Sequence, residues 1–313
     1  MLGRQVNRWL SVCPPGYPWG NTLPLLTSAD ALVLNLECVV SDRGQPTPAK
    51  VFTFRTDARN VAVLEAAKVT TVSLANNHSL DFGAEALDEC LEILSVHGIG
   101  TAGAGRSWQE ASAPCSFSVA GLAVALVAFT DNEPGWEAGL ATPGTFYVPV
   151  VPEDPRMTLL LSTIERAATA ADLVIVSAHW GPNWRYRPLP EHVAAARRFI
   201  DVGAGVVFGH SPHVVRAIEL YRGKPILYGC GDFIDDYAVH DVERNDQSGV
   251  FVLDYEGARL QRLFVVPTMI ERLQARLATD TERADILRTM RDLCRDLGTR
   301  TRETPDGMDV ILS

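Results

Sequence analysis

The chain has 313 residues, a formal charge of −10, 47% hydrophobic and 21% charged residues, enough to fold as one large α/β domain, alone or with a small appendage. The acidic balance excludes a general nucleic-acid binder, which needs a basic face to neutralise phosphate. It leaves open a small anionic or polyanionic substrate, because a local arginine cluster or a metal reverses the field inside a cleft.

The opening "MLGRQVNRWL" has no signal-peptide core, and no apolar run in the given chain reaches the ~18 residues of a membrane-spanning helix. The next readable element is "ALVLNL" (31–36), a near-continuous apolar run expected to be a strand buried on both faces. "NVAVLEAAK" then reads as a helix, "VTTVSLA" (69–75) as a second buried strand and "AEALDECLEILSVHG" as a second helix. "GIGTAG" (98–103) fits G-x-G-x-x-G letter for letter, but it follows a helix instead of a strand, so a tight turn is expected and a nucleotide cofactor is not. Residues 115–130 read as an antiparallel pair broken at Ala120-Gly121.

Two further strand and helix pairs follow: "MTLLLSTIERAATAA" before "LVIVSAH" (173–179), and "PEHVAAARRFIDVGA" before "GVVFGH" (205–210). Residues 248–267 read as a second hairpin turning at Glu256-Gly257, and from about 270 the chain turns charged and helical. The expectation is a layered α/β domain over 1–268 and a C-terminal helical appendage over 269–313. Six cysteines are scattered without a C-x-x-C pair, which points to reduced thiols in a cytoplasmic protein.

Ligands of open α/β sheets collect beyond the carboxyl ends of the strands. There the sequence places Glu37, then Asn76, Asn77 and His78 with Asp81 behind them, then His179 and Trp180, then His210 and His213. A single strand-end histidine is usually a hydrogen-bonded structural residue, and Asn-Asn is ordinary turn chemistry. Four strand ends with the same donor types point instead to one rim and a divalent ion such as Zn, Mn or Fe, since no thiolate is among them. His97, His192 and His240 lack that context and are expected to be structural or surface residues.

"LNLE", "SLANNHSLDFG", "HGIGTAGAG", "SAHWG", "GHSPHVV" and "ILYGCGDF" occur in this order over residues 34–233. In order and spacing they resemble the CapA family of capsule or poly-γ-glutamate synthesis proteins, which is similar to a branch of the calcineurin-like metallophosphatases. The resemblance covers roughly residues 1–235 and implies a four-layer α/β/β/α sandwich carrying one or two metal ions. It implies Glu37, Asn77, His179, His210 and His213 as ligands, His78 as the catalytic histidine and Asp81 as its orienting carboxylate. The chemistry implied is attack by a metal-acidified water on an ester or amide.

Three positions depart from the family pattern. The family's first motif is a strand ending in Gly-Asp before a segment like "MLGR", which here opens the chain; a start codon called too late, leaving out that strand and its ligand, is the expectation. Ser211 stands where the family has a histidine, and Asp232 where it has asparagine, so Asp232 is a candidate extra carboxylate. Beyond His179, "HWGPNWRYRPLP" offers Trp180 and Trp184 to wall out water and Arg185 and Arg187 to grip an anion, with Arg216 a weaker candidate. The leading reading is a metal-dependent hydrolase of a phosphoester or a glutamate-like amide. The alternatives are a metal-depleted, polyanion-binding component of a polymer-synthesis system, and a small-molecule biosynthetic enzyme using the same site.

Overall fold

The structure is a computed structural model and describes residues 1–48 and 50–312. A small parallel sheet comprises β1 (Val33–Asn35), β2 (Thr71–Ser73) and β3 (Gly100–Ala102), in that order. A six-stranded sheet follows, built from β4 (Cys115–Val119), β5 (Leu122–Thr130), β6 (Leu173–His179), β7 (Val206–His210), β8 (Ile218–Tyr221) and β9 (Lys224–Leu227). Its order is β8-β9-β7-β6-β5-β4, with β5, β6, β7 and β9 parallel and the two outer strands antiparallel. The expected strands and the break at Ala120-Gly121 are all present.

Side-chain alternation sorts these sheets into layers. On one face of the large sheet, Val127, Phe129, Val174, Val176 and Val207 pack on Leu160 and Ile164 of α3 (Pro155–Ala170) and on Ala196 and Phe199 of α4 (Pro190–Asp201). From the other face, Leu126 and Ala128 meet Ala75 and Ala102 of the small sheet. The far side of the small sheet packs on α1 (Val61–Ala66) and α2 (Gly83–Val96) through Val72, Leu64, Leu87 and Leu94. Helix, sheet, sheet and helix therefore follow one another, the four layers expected. The sheets approach so closely at "GIGTAG" that a Cβ on Gly103, whose φ is +89°, would lie 2.5 Å from that of Ala75 and 2.9 Å from that of Ala128. That strand-and-turn conformation has no helix opening on the glycines.

The tail differs from its sequence expectation. Strand β10 (Gln247–Glu256) pairs with β11 (Arg259–Glu271), which runs straight through the expected boundary at 268/269. Beyond it, β12 (Gln274–Leu277), β13 (Thr301–Thr304) and β14 (Gly307–Val310) join the same sheet, and only α5 (Asp280–Asp296) is helical. Leu, Arg, Glu and Gln favour helices in isolation, but pairing of Leu263 with Val310 and burial of Met269, Ala275 and Met308 decide the conformation. Helix α5 covers this sheet through Ile286, Leu287 and Met290, which pack with Ile218 and Leu227 of the large sheet. None of the described helices is long and apolar enough to cross a membrane.

The start of α5 carries a pH-sensitive cap. Thr279 and Glu282 form a reciprocal capping box, and Arg276 reaches both Glu282 oxygens at 2.7 Å. Bonding to Arg276 holds the Glu282 carboxyl at about 2 instead of 4.5. A lowered carboxylate stabilises the fold above its unfolded value and loses that contribution as pH falls through its folded one. The melting-temperature gap between wild type and Glu282→Gln is therefore expected to be full at pH 7 and to shrink from pH 4.5 towards 2.

Candidate functional site

The site forms where the ends of the small sheet face those of the large one. Strand β1 leads through Leu36 to Glu37, which is buried, and β2 leads into the turn Asn76–Asp81. Asn76, itself fully buried, ties the two strand ends together: its amide donates to Asn35 Oδ1 and to the Leu36 carbonyl, each at 3.0 Å. Its Oδ1 accepts from the His78 backbone N–H at 2.9 Å, fixing where His78 leaves the turn. The His78 ring then sets Nδ1 2.6 Å from Asp81 Oδ2, which also accepts from the Phe54 N–H at 2.6 Å. Phe54 packs edge-on against the imidazole at 4.7 Å, and both His78 and Asp81 are buried.

On the large sheet, β6 and β7 end in register at His179 and His210. The two Nδ1 atoms lie 2.8 Å apart, and His210 Nε2 lies 2.7 Å from Ser177 Oγ. His179 Nε2 lies 3.9 Å from Glu37 Oε1, so the two sheets meet at this pair. After His210 the chain turns sharply at Ser211, held at φ +97° with its hydroxyl donating to the Gly181 carbonyl at 3.0 Å. Non-glycine residues rarely occupy that region, and such strain concentrates at functional sites. The turn delivers His213, whose Nδ1 lies 2.9 and 3.0 Å from the two oxygens of Asp232.

Burial and charge split the histidines into two kinds. Burial lowers His210 to about 3, and burial is also the main cause that pushes His179 well below its ordinary value. Both rings are thus neutral, the form that ligates metal. Burial lowers His213 too, but the Asp232 charge and hydrogen bond outweigh it and raise His213 to about 9. Asp232 is held low by the same pair against the upward push of its burial. Its neighbour Asp235 is pushed well above the carboxylate range by burial and by the Asp232 charge.

Glu37 thus meets His179 across the two sheets, His179 meets His210 across β6 and β7, His78 pairs with Asp81 in the turn that also holds Asn77, and His213 pairs with Asp232. The aromatic and basic loop behaves differently. Trp180 is fully buried, stacked on His192 at 4.9 Å and packed with Phe129, Phe199 and Tyr228. It is a core residue of the outer layer and does not wall a substrate. His192 is structural, as expected, with Nε2 3.5 Å from Asp131. Arg187 pairs with Asp296 of α5 at 2.7 Å. Arg216 is buried, and its Nε and Nη2 donate to the carbonyls of Arg185, Pro182 and Trp184 and clamp the loop, while Nη1 is buried without a partner. Trp184 remains partly exposed between His213, 5.6 Å away, and His240, 5.7 Å away, and Arg185 is exposed beside it.

Two residues escaped the sequence reading. Asp131 follows β5 and accepts from the Gly181 N–H at 3.0 Å; reading the end of the 115–130 hairpin as a strand end would have found it. Lys50 stands where no periodicity marks it, yet its ammonium lies 2.7 Å from Asp81 Oδ1.

The donor chemistry fits a divalent ion. Asn77 Oδ1 and His179 Nε2 are buried without a hydrogen-bond partner, and the Glu37 carboxylate adjoins the latter. Among the described residues, no three His, Cys, Asp or Glu side chains already converge on one point.

The chain is 33% identical over 308 residues to the probable polyglutamine synthesis accessory protein of Mycobacterium tuberculosis, covering 93% of this chain and 80% of that one. It is 32% identical over 239 residues to the PGA biosynthesis protein CapA of Bacillus subtilis, covering 75% of this chain and 61% of that one. A solved structure, the putative 5′-nucleotidase of Staphylococcus aureus, is similar at a TM-score of 0.46 and 13% identity over 74% of this chain and 44% of that one, too loose a likeness to carry weight. The model of the family described as bacterial capsule synthesis protein PGA_cap matches residues 1–237, a span that holds every donor described above, and the chain belongs to that family.

Proposed function

We propose that this chain is a metal-dependent hydrolase acting on an anionic substrate, either a phosphoester or an amide of a glutamate-like compound. The observation that carries the reading is the buried His78–Asp81 pair beside two unpartnered donors, Asn77 Oδ1 and His179 Nε2. The names of the relatives, which refer to polyglutamine and PGA synthesis, favour a polymer of glutamine-like or glutamate-like units, or its precursor, as substrate.

In this reading Glu37, Asn77 and His179 hold one or two ions of Mn, Zn or Fe, with His210 and His213 completing the set. A divalent ion there supplies acidified water and polarises the bond under attack. Asp232 does not add a ligand; it bonds Nδ1 of His213 and orients that ring, leaving Nε2 to face the site. Asp81 steadies a protonated His78, which gives its Nε2 proton to the leaving group. Exposed Arg185 and half-exposed Trp184 form the substrate side of the rim.

One observation favours a second reading, a metal-depleted protein that binds polyanion without turnover: both nitrogens of His210 are engaged, by Ser177 and by His179. Metal analysis of the purified chain, then a screen of aryl phosphates and γ-glutamyl amides with Mn or Zn, separates the two. Tight metal binding with turnover supports the hydrolase. No bound metal and no turnover, with retention of poly-γ-glutamate, supports the second reading and sinks the first. Within the hydrolase reading, His179→Ala is expected to weaken Mn affinity about tenfold or more in a titration of the apo protein.

A further inference from the structure

Lys50 stands where three separate pieces of the chain meet. Its ammonium lies 2.7 Å from Asp81 Oδ1 and 3.8 Å from Glu133 Oε1, and it rests 4.1 Å above the Trp136 ring. It also donates to the backbone carbonyl of Asn77. Asp81 and Asn77 belong to the turn after β2 of the small sheet, whereas Glu133 and Trp136 follow β5 of the large one. The loop that carries Lys50 is itself laced to the turn, through the Thr47 N–H on the Asp81 carbonyl at 2.7 Å and the Phe54 N–H on the Asp81 carboxylate.

Two roles are open to a lysine at such a place: gripping the anionic substrate, or holding the groups that do the chemistry. The donors decide between them. The ammonium donates to the Asn77 carbonyl, pairs with Asp81 at 2.7 Å and rests on the Trp136 face, and the side chain is only 17% exposed, so its neighbours hold it in place and leave little of it for a substrate oxygen. Asp81 depends on this cation in turn. Its Oδ2 is taken by His78 and Phe54, while Oδ1, fully buried, has Lys50 as its counter-charge and, among the described residues, no hydrogen-bond donor. A buried carboxylate stripped of its partner is strongly destabilised, so loss of Lys50 would change how Asp81 holds the His78 ring.

We propose that Lys50 is a positioning residue of the site: by pairing with Asp81 and holding the Asn77 carbonyl against Trp136, it fixes the turn of one sheet to the rim of the other and so sets the His78 ring and the Asn77 side chain. The inference rests on the hydrolase reading for its kinetic consequence, but the link from Lys50 through Asp81 to His78 exists without metal or substrate.

The test therefore begins on the metal-free full-length chain. The His78 Nδ1 proton, bonded to a buried carboxylate, is followed by proton NMR as a downfield resonance assigned by its loss in His78→Ala. Lys50→Gln, which keeps the stem but removes the charge, is expected to shift or broaden that resonance. Lys50→Ala is expected to do the same, with ethylammonium restoring it by filling the vacated space. With Mn and the best substrate of the screen, kcat is expected to fall about 10- to 100-fold in Lys50→Gln while KM stays within about twofold. An unchanged His78 resonance in a folded Lys50→Gln protein overturns the proposal. So does a raised KM at unchanged kcat, which would make Lys50 a substrate contact. If the wild type turns over nothing, the hydrolase reading fails, and the resonance alone still decides the role of Lys50. If Lys50→Ala does not fold, Lys50→Gln carries the same measurement.

Discussion

Replacement of His78 by alanine lowers turnover about 10²- to 10⁴-fold while the metal content stays at the wild-type level, the range for loss of a positioned general acid. The split between activity and metal follows from where the ring's nitrogens go. Nδ1 is committed to Asp81, and among the described residues no group bonds Nε2, so that nitrogen is the one available to a leaving group. Removing the ring does not strand a charge, because Asp81 keeps the Lys50 ammonium and the Phe54 N–H. The fold is thus expected to survive, and a melting curve beside the kinetics checks that it does. Metal analysis is the deciding control: if His78→Ala loses metal as His179→Ala does, then His78 is a ligand and the proton-transfer role is wrong.

Trp180→Ala costs about 3–5 kcal/mol of stability, the loss expected for a large aromatic residue fully enclosed in a core. Its ring is stacked on His192 and Tyr228 and packs edge-on against Phe129, while Nε1 donates to the Tyr228 carbonyl at 3.2 Å. Alanine would leave a cavity between the large sheet and α4 and an unsatisfied carbonyl. Chemical denaturation measures the cost. Trp184→Ala is the contrast: a half-exposed ring on the rim, expected to change stability by less than about 1 kcal/mol and to raise KM instead. The reverse pattern would mean that the two tryptophans have been assigned each other's roles.

These two residues also mark how far strand-end reading reaches. Glu37, His179 and His210 could be picked out because each directly follows or closes an apolar run, and His78 because it stands three residues past one. Trp180 was misplaced by the same adjacency, yet the period-two rule already held the answer. Val174, Val176, Ala178 and Trp180 share one face of β6, while His179 points to the other. A neighbour of a strand-end donor faces away from it. Asp131 was missed because its strand had been read as a hairpin arm, although β5 also lies parallel to β6 and ends at the same rim.

The C-terminal strands were illegible for a different reason. Residues 269–277 are rich in Arg, Glu, Gln and Leu, residues 301–310 are mostly polar with Pro and Gly among them, and neither stretch carries a strong alternation of its own. Their conformation comes from partners elsewhere, such as Leu263 for Val310 and Thr268 for Leu277.

Periodicity and adjacency are properties of neighbours in the chain, so the amino-acid order alone was enough for the alternating βα core and the family, and it placed polar candidates at the strand ends. Which donors face one another is a property of packing. The 3.9 Å approach of His179 to Glu37, the pairing of Asp232 with His213 and the placing of Lys50 on Asp81 join residues far apart in the chain. The first contact exists only once the two sheets close on each other and the other two only once separate connections pack together, because the energy that selects them, burial of apolar faces and neutralisation of enclosed charge, has no counterpart in an extended chain.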